Sequence, residues 1–427
     1  MSYFFTSEAV SQGHPDIVAD EISSAIVDRA LAFDPESHCA IETMVTAGQV
    51  IVGGELKTNT IMEIPNVVRA CILRIGYNRP EYRFNAMSCG ILNAIHEQSP
   101  DIDRGIIRST EEETGAGDQG IMFGYATNET ENCMPATLEI ANMLVRELAL
   151  IREANESCEV PEGERVMTYL CPDAKSEVTI EYDDKTNKPI RISTIVISTS
   201  HSMFDDERLM HDEIEYDIRH ILIPRVIAKC DDKLKNLFND DIKYYINPLG
   251  EFVLFGPAAD TGMTGRKIIA TTYGGWGTHG GGCATGKDGT KVDVSGLYAT
   301  RHIAKNSVKA GVADRMLVQV AYAIGVASPV SFFVNTYGTN HTSYSDSEIA
   351  RKLMEIVDLR PFAVIRDLKL KAPLYSEAAA YGHFGREPKT VHKTFINRYG
   401  EVAEKDVELF TWEKLDLVDR IKEVFKL

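Results

Sequence analysis

Three absences narrow the class of this 427-residue chain before any motif is considered. No CxxC pair occurs and no Cys/His spacing suits zinc, because the eight cysteines, from Cys39 to Cys283, stand singly. That excludes zinc-finger and redox-motif readings and leaves buried free thiols in a reducing compartment. No apolar run approaches the ~20 residues that span a bilayer, and Met1 to Asp20 carry neither a basic nor an apolar leader-like stretch. The expectation is a soluble, unexported, cytoplasmic protein. Basic charge is also short: 45 Lys and Arg stand against 63 Asp and Glu, a formal net charge of −18. Nucleic acid and anionic membranes would be repelled by the whole molecule, so a polyanionic ligand needs a local basic site.

What is present points to a mixed α and β protein large enough for two or three packed domains. His14-Pro15-Asp16 precedes an apolar stripe at Val18, Ile22, Ala25, Ile26 and Ala30, and proline at the first helical position predicts a helix start. Strand-like runs cover Gln49–Val52, Glu177–Tyr182, Ile190–Ser198, Tyr244–Ile246 and Lys267–Tyr273. Leu415, Val418, Ile421 and Phe425 predict a helix near the end. Asp358-Leu359-Arg360-Pro361 reads as a helix stop ahead of another strand, and residues 154–164 as an exposed linker.

Local basic character is concentrated between Gly262 and Val294, where Arg266, Lys267, Lys287 and Lys291 are spaced by glycines. Gly115 to Gly120 spells GxGxxG, but no strand leads into it and no βαβ unit surrounds it, so a dinucleotide fingerprint is rejected. Gly281 to Lys287 spells GxxxxGK, yet Asp288 stands where a P-loop needs Ser or Thr. Glycines beside lysines still let amides and ammonium groups close on phosphate oxygens, although a flexible surface loop has the same composition. His14 and Asp16 lie at the positive end of the expected helix dipole, which suits a polyphosphate or its metal. Glu42, Glu55, Asp118, Asp173, Asp260 and Asp293 are turn-context carboxylates that supply the oxygen ligands magnesium takes.

Taken in order, these segments resemble the methionine adenosyltransferase family along almost the whole chain. The resemblance is carried by Phe5-Thr6-Ser7-Glu8, Gly13-His14-Pro15-Asp16, Gly115 to Gly120, Pro172-Asp173-Ala174-Lys175-Ser176, Gly265-Arg266-Lys267, Gly286-Lys287-Asp288, Lys291-Val292-Asp293 and Ala380 to Arg386. It implies an α+β fold of three βαββαβ-like domains in pseudo-threefold arrangement, over 1–101, 115–253 and 254–427 with interleaving. The implied activity joins methionine sulfur to C5′ of ATP and then hydrolyses the bound triphosphate. By the same resemblance His14, Lys175, Arg266, Lys267, Lys287 and Lys291 are catalytic. Asp118, Asp173, Phe252 and Asp260 bind ATP, and Glu55, Gln98, Asp260 and Lys291 hold methionine. Asp16 and Asp293 ligate magnesium, two ions per site, and Glu42 ligates potassium. Residues Gln98 to Arg108 form a gate, and the assembly is a homodimer or homotetramer with its site between subunits.

Departures from the family pattern cluster beside these blocks. Ile17, Cys171 and Val294 replace a lysine and two arginines. Phe255 and Ala259 replace glycines, Thr271 an aspartate, and Cys283-Ala284-Thr285 the usual Ala-Phe-Ser. They open the alternative of a paralogue with an altered nucleotide or thioether substrate, and a non-catalytic regulatory subunit is a second alternative of a different class.

Overall fold

The computed structural model describes residues 1–97, 111–157 and 165–427. The chain runs through strand β1 (Ser2–Val10), helix α1 (Pro15–Phe33), β2 (His38–Thr46), β3 (Gln49–Lys57), α2 (Ile64–Ile75) and β4 (Gly90–His96). It continues with β5 (Gly120–Thr127), α3 (Ala136–Glu156), β6 (Leu170–Asp183), β7 (Pro189–His201), α4 (Glu207–Asp217), α5 (Ile223–Lys229) and β8 (Lys243–Ile246). The last part holds β9 (Gly262–Met263), α6 (Val292–Ala310), β10 (Arg315–Tyr322), β11 (Ser331–Asn335), α7 (Asp346–Met354), α8 (Pro361–Asp367), a hairpin of β12 (Lys389–Ile396) and β13 (Val402–Leu409), and α9 (Val418–Phe425).

Three larger sheets share one design. Their strand orders are β9-β2-β3-β4, β1-β6-β7-β8 and β5-β10-β11. In each, a first strand pairs antiparallel with a central hairpin, and in the two four-stranded sheets a last strand pairs parallel with that hairpin. A long helix leads into every hairpin: α1 into β2–β3, α3 into β6–β7, α6 into β10–β11. The first strand never belongs to the unit that follows it in the chain. Strand β1 precedes α1 but pairs with β6, β5 precedes α3 but pairs with β10, and β9 precedes α6 but pairs with β2. Each unit therefore hands its edge strand cyclically to another, which gives the pseudo-threefold, interleaved α+β architecture and ties the three units together.

Helix α1 is buried on nearly every side, polar residues included: Asp16, Asp20, Glu21, Ser23, Ser24 and Asp28 are all covered. A helix covered all round satisfies its polar groups internally. Asp28 does so by accepting from the main-chain N–H groups of Tyr375 (2.8 Å) and Ser376 (3.0 Å). Helix α6 packs on β5 and β10 so closely that a Cβ on Gly124 would lie 2.1 Å from the Thr300 carbonyl.

Two sequence expectations fail. Lys267–Tyr273 is a series of turns, with Thr271 N–H donating to the Lys267 carbonyl (2.9 Å) and the Thr271 and Thr272 hydroxyls bonding back to the carbonyls four residues earlier. Those back-bonds offer the backbone an alternative to a sheet ladder, so β-branching alone misleads. Pro361 does not precede a strand; it opens α8 as its first residue, where its missing N–H costs nothing. Both expected helices and the other strands form where anticipated. Of the expected linker, residues 154–156 close α3, while 158–164 lie outside the described residues.

Candidate active site

One cluster of candidate residues gathers at the N-terminus of α1. His14 caps the helix, its Nδ1 accepting from Asp16 N–H at 3.1 Å, and both side chains are buried. Close packing fixes this entry, because a Cβ on Gly13 would sit 2.2 Å from the Pro172 carbonyl oxygen. Burial, reinforced by Lys175, Lys267 and Arg266, pushes the His14 imidazole down to about 3. The ring is neutral near pH 7, and since Nδ1 accepts, the proton sits on Nε2.

Asp16 is the electrostatic hub. Its Oδ1 accepts from Met263 N–H (3.1 Å) and lies 3.6 Å from Arg266 Nε, while Oδ2 lies 3.5 Å from Lys267 Nζ. Lys267 also reaches Glu8 on β1 at 4.0 Å. Lys175 is exposed on β6, at the register position opposite Val10. Two residues earlier, Asp173 is buried; burial lifts its carboxyl to about 6 against Gly256 N–H and Lys175. Its Oδ2 accepts from Gly256 N–H (2.9 Å), but its buried Oδ1 has no hydrogen-bond partner among the described residues. Asp260 is exposed one short turn beyond Gly256, and Phe252 is half-buried, its N–H bonded to His201 Nε2 (3.0 Å).

A second cluster occupies a cleft of about 580 Å³ lined by Glu55, Asp118, Lys287, Lys291 and Asp293. Lys287 Nζ donates to Asp293 Oδ2 at 2.7 Å, and Lys291 Nζ lies 3.9 Å from Asp288 Oδ2. The glycine-rich loop carrying Lys287 is pinned to β2: Ile41 N–H donates to Gly286 O (2.8 Å) and Cys39 N–H to Asp288 Oδ2 (2.6 Å). Glu42 is exposed on β2 and faces the same side of the sheet as Glu55 on β3. Gln98 and the expected gate to Arg108 lie outside the described residues.

Among the described residues no hydrogen bond or ion pair joins the two clusters. His14 caps the start of α1, whereas the cleft opens beside Leu31, Pro35 and Glu36 at its end. A 19-residue helix extends about 28 Å. One chain thus holds two partial sites, each with lysines and a carboxylate.

Residues 2–100, 113–252 and 254–394 match, in turn, the N-terminal, central and C-terminal domains of S-adenosylmethionine synthetase. The chain belongs to the S-adenosylmethionine synthetase family. It is 57% identical over 427 residues to the S-adenosylmethionine synthase of Flavobacterium johnsoniae and 56% identical over 440 residues to that of Bacteroides thetaiotaomicron, each match covering 100% of both chains. The synthase of Flavobacterium psychrophilum is 56% identical over 425 residues.

Set within this family, the departures sort by burial. Ile17 and Val294 are fully buried and Cys171 nearly so, which puts the three positions where the resemblance implies basic residues in packed surroundings here. Phe255 stacks edge-on against Tyr82 with centroids 5.1 Å apart, and the Cys171 thiol adjoins the Tyr82 hydroxyl, so two of the departing positions share one nest. Thr271 and Thr285 meet at His383, whose main-chain N–H donates to Thr271 O (2.9 Å) and whose ring Nε2 lies 3.5 Å from Thr285 Oγ1. Sequence reasoning missed Glu8 and Asp20, both of which touch the lysine-bearing segment; the signal for Asp20 was its i, i+4 spacing from Asp16.

Proposed function

We propose that this protein is a methionine adenosyltransferase, forming S-adenosylmethionine from ATP and L-methionine and hydrolysing the bound triphosphate to pyrophosphate and phosphate. The observation that carries the reading is the cation set around a neutral histidine: Lys175, Arg266 and Lys267 act together on His14 at a helix N-terminus. Methionine sulfur is a neutral nucleophile with no proton to lose, so in-line attack on C5′ asks for orientation and not for a general base. Charge accumulates on the leaving triphosphate, and preorganised cations lower the barrier. His14 Nε2–H donates to the departing oxygen. Lys175, Arg266 and Lys267 in one half, and Lys287 and Lys291 in the other, bracket the phosphates. The orphaned Oδ1 of Asp173 accepts from a bound nucleotide, with Phe252 against the adenine and Asp260 beside it. Glu55, Asp118 and, with them, Gln98 hold the methionine and nucleoside end.

Magnesium fits the donors. It commonly takes one or two carboxylates and completes its shell with phosphates and water. Asp16 and Asp293 offer one carboxylate to each half, and among the described residues no set of three protein ligands encloses an ion by itself. Bound there, two magnesium ions would neutralise the phosphate oxygens. Glu42 offers the oxygen donor for potassium.

Each active site of this reading is completed by a second copy, in a homodimer or a dimer of dimers. Supporting it, the sheet face not covered by α1 and α2 bears an apolar row, Met263-Met44-Ile51-Leu92, with Met263 45% and Leu92 53% exposed. Glu42 and Glu55 stand on that same face. None of the described helices is long and apolar enough to cross a membrane.

The direct test is incubation of the purified protein with ATP, methionine, magnesium and potassium. Methionine-dependent S-adenosylmethionine, with stoichiometric phosphate and pyrophosphate, is the expected result. ATP binding without a sulfonium product would instead favour the regulatory alternative.

A further inference from the structure

Helix α1 and the segment Gly262–Gly265 run side by side in matched steps. Asp16 Oδ1 accepts from Met263 N–H (3.1 Å), and one helical turn later Asp20 Oδ1 accepts from Gly265 N–H (2.9 Å). Four residues of helix advance about 6 Å. Two residues of extended chain advance about 6.6 Å. The carboxylates at i and i+4 therefore meet alternate N–H groups of the segment. Its other side is held by β2, through Thr264 N–H to Thr43 O (3.0 Å) and Thr43 N–H to Thr264 Oγ1 (2.9 Å), while the Ser23 hydroxyl bonds Thr264 Oγ1 at 2.8 Å.

The segment has no room to settle elsewhere. A Cβ on Gly262 would lie 2.0 Å from the Pro15 carbonyl oxygen, and one on Gly265, itself at φ +80°, would lie 3.1 Å from Cys283 Cβ. Directly after Gly265 the chain turns, and Arg266 and Lys267 point back to Asp16. Asp20 itself is 2% exposed and makes no ion pair among the described residues, so the Gly265 bond is the structural task its side chain performs.

We propose that Asp20 is a positioning residue: by holding Gly265 N–H it fixes the direction in which Arg266 and Lys267 leave the segment, and with it the placement of both cations toward the triphosphate. The assignment rests on the reading of the site given above. A backbone bond is what matters, so an amide oxygen at the same place serves as well as a carboxylate.

Steady-state kinetics of Asp20→Ala and Asp20→Asn, with melting temperatures for both, test this. Asp20→Ala should lower kcat about tenfold to a hundredfold, the scale of an ångström-sized misplacement. KM for methionine should change much less than kcat, because Glu55 and Lys291 lie in the other cluster. Asp20→Asn should keep kcat within about threefold, since a net neutral hydrogen bond is retained. Equal loss in both variants, a shift of methionine KM parallel to kcat, or unchanged kcat in folded Asp20→Ala would each overturn the proposal. If Asp20→Ala does not accumulate folded, Asp20→Ser carries the test, and failure of both to fold would make Asp20 a purely structural residue. An inactive parent enzyme would contradict the proposed reaction itself, and an active parent with indifferent Asp20 variants only this inference.

Discussion

Replacing Lys267 by methionine is expected to lower the rate of S-adenosylmethionine formation about 100- to 1,000-fold, the usual cost of removing one preorganised donor from a developing anion. Three features make the effect large. The ammonium is mostly buried, 22% exposed, so water replaces it poorly. It stands 3.5 Å from Asp16 Oδ2 and helps keep His14 neutral, so its loss also disturbs both neighbours. Its segment is pinned on two sides, so the backbone that carries Arg266 stays in place when the ammonium is removed. Methionine keeps the length and packing of the stem, so circular dichroism and melting temperature should hardly change. Single-turnover rates at saturating ATP and methionine are the measurement, and a loss below about threefold, worth less than ~0.7 kcal/mol, would remove Lys267 from the mechanism.

The largest expected effect on stability lies elsewhere. Glu413, fully buried, accepts from Arg301 Nε (2.8 Å) and Nη2 (3.0 Å) and from Lys305 Nζ (2.7 Å), joining the C-terminal segment to α6. Burial works against its charge, but Arg301 and Lys305 outweigh it and hold the carboxyl below the usual range. Glu413→Ala strands two buried cations and should cost about 3–5 kcal/mol by denaturant unfolding. Arg301 keeps the carbonyls of Tyr125, Asn132 and Cys133 as acceptors, which places the expected value toward the lower end. Because the folded carboxyl is the stronger acid, this stabilisation is complete above the unfolded pKa near 4.5 and is lost as pH falls through the folded value. The parent protein should lose stability in that acid range and Glu413→Ala should lose less.

Much of the fold was legible where a residue forces one local outcome. Pro15 at the first helical position announced α1, and alternating runs announced β6 and β7. Long-range pairing was not legible. Nothing in Ser2–Val10 says that it pairs with β6 and not with the unit it precedes, because that choice depends on surfaces formed by distant segments. Lys267–Tyr273 misled because threonine is β-branched and also able to bond its own backbone, and the structure takes the second course. Asp20 escaped notice for a related reason. On an amphipathic helix a polar residue one turn after another marks the wet face, but α1 has no wet face, so its carboxylates became anchors. Arg266, Lys267, Lys287 and Lys291 were recognised by their glycine setting and Lys175 only through the resemblance, yet their division into two clusters followed only from the placement of α1 between them.

That division is open to a decisive measurement. Lys267→Met disables one cluster and Lys287→Met the other, so each variant alone should be nearly inactive. When the two are co-expressed with different tags and the mixed dimers allowed to form statistically, half the dimers are hybrids, and each hybrid regains one intact site of two. The expected activity is about one quarter of the parent's. A mixture no more active than the two variants measured apart would contradict a site shared between subunits.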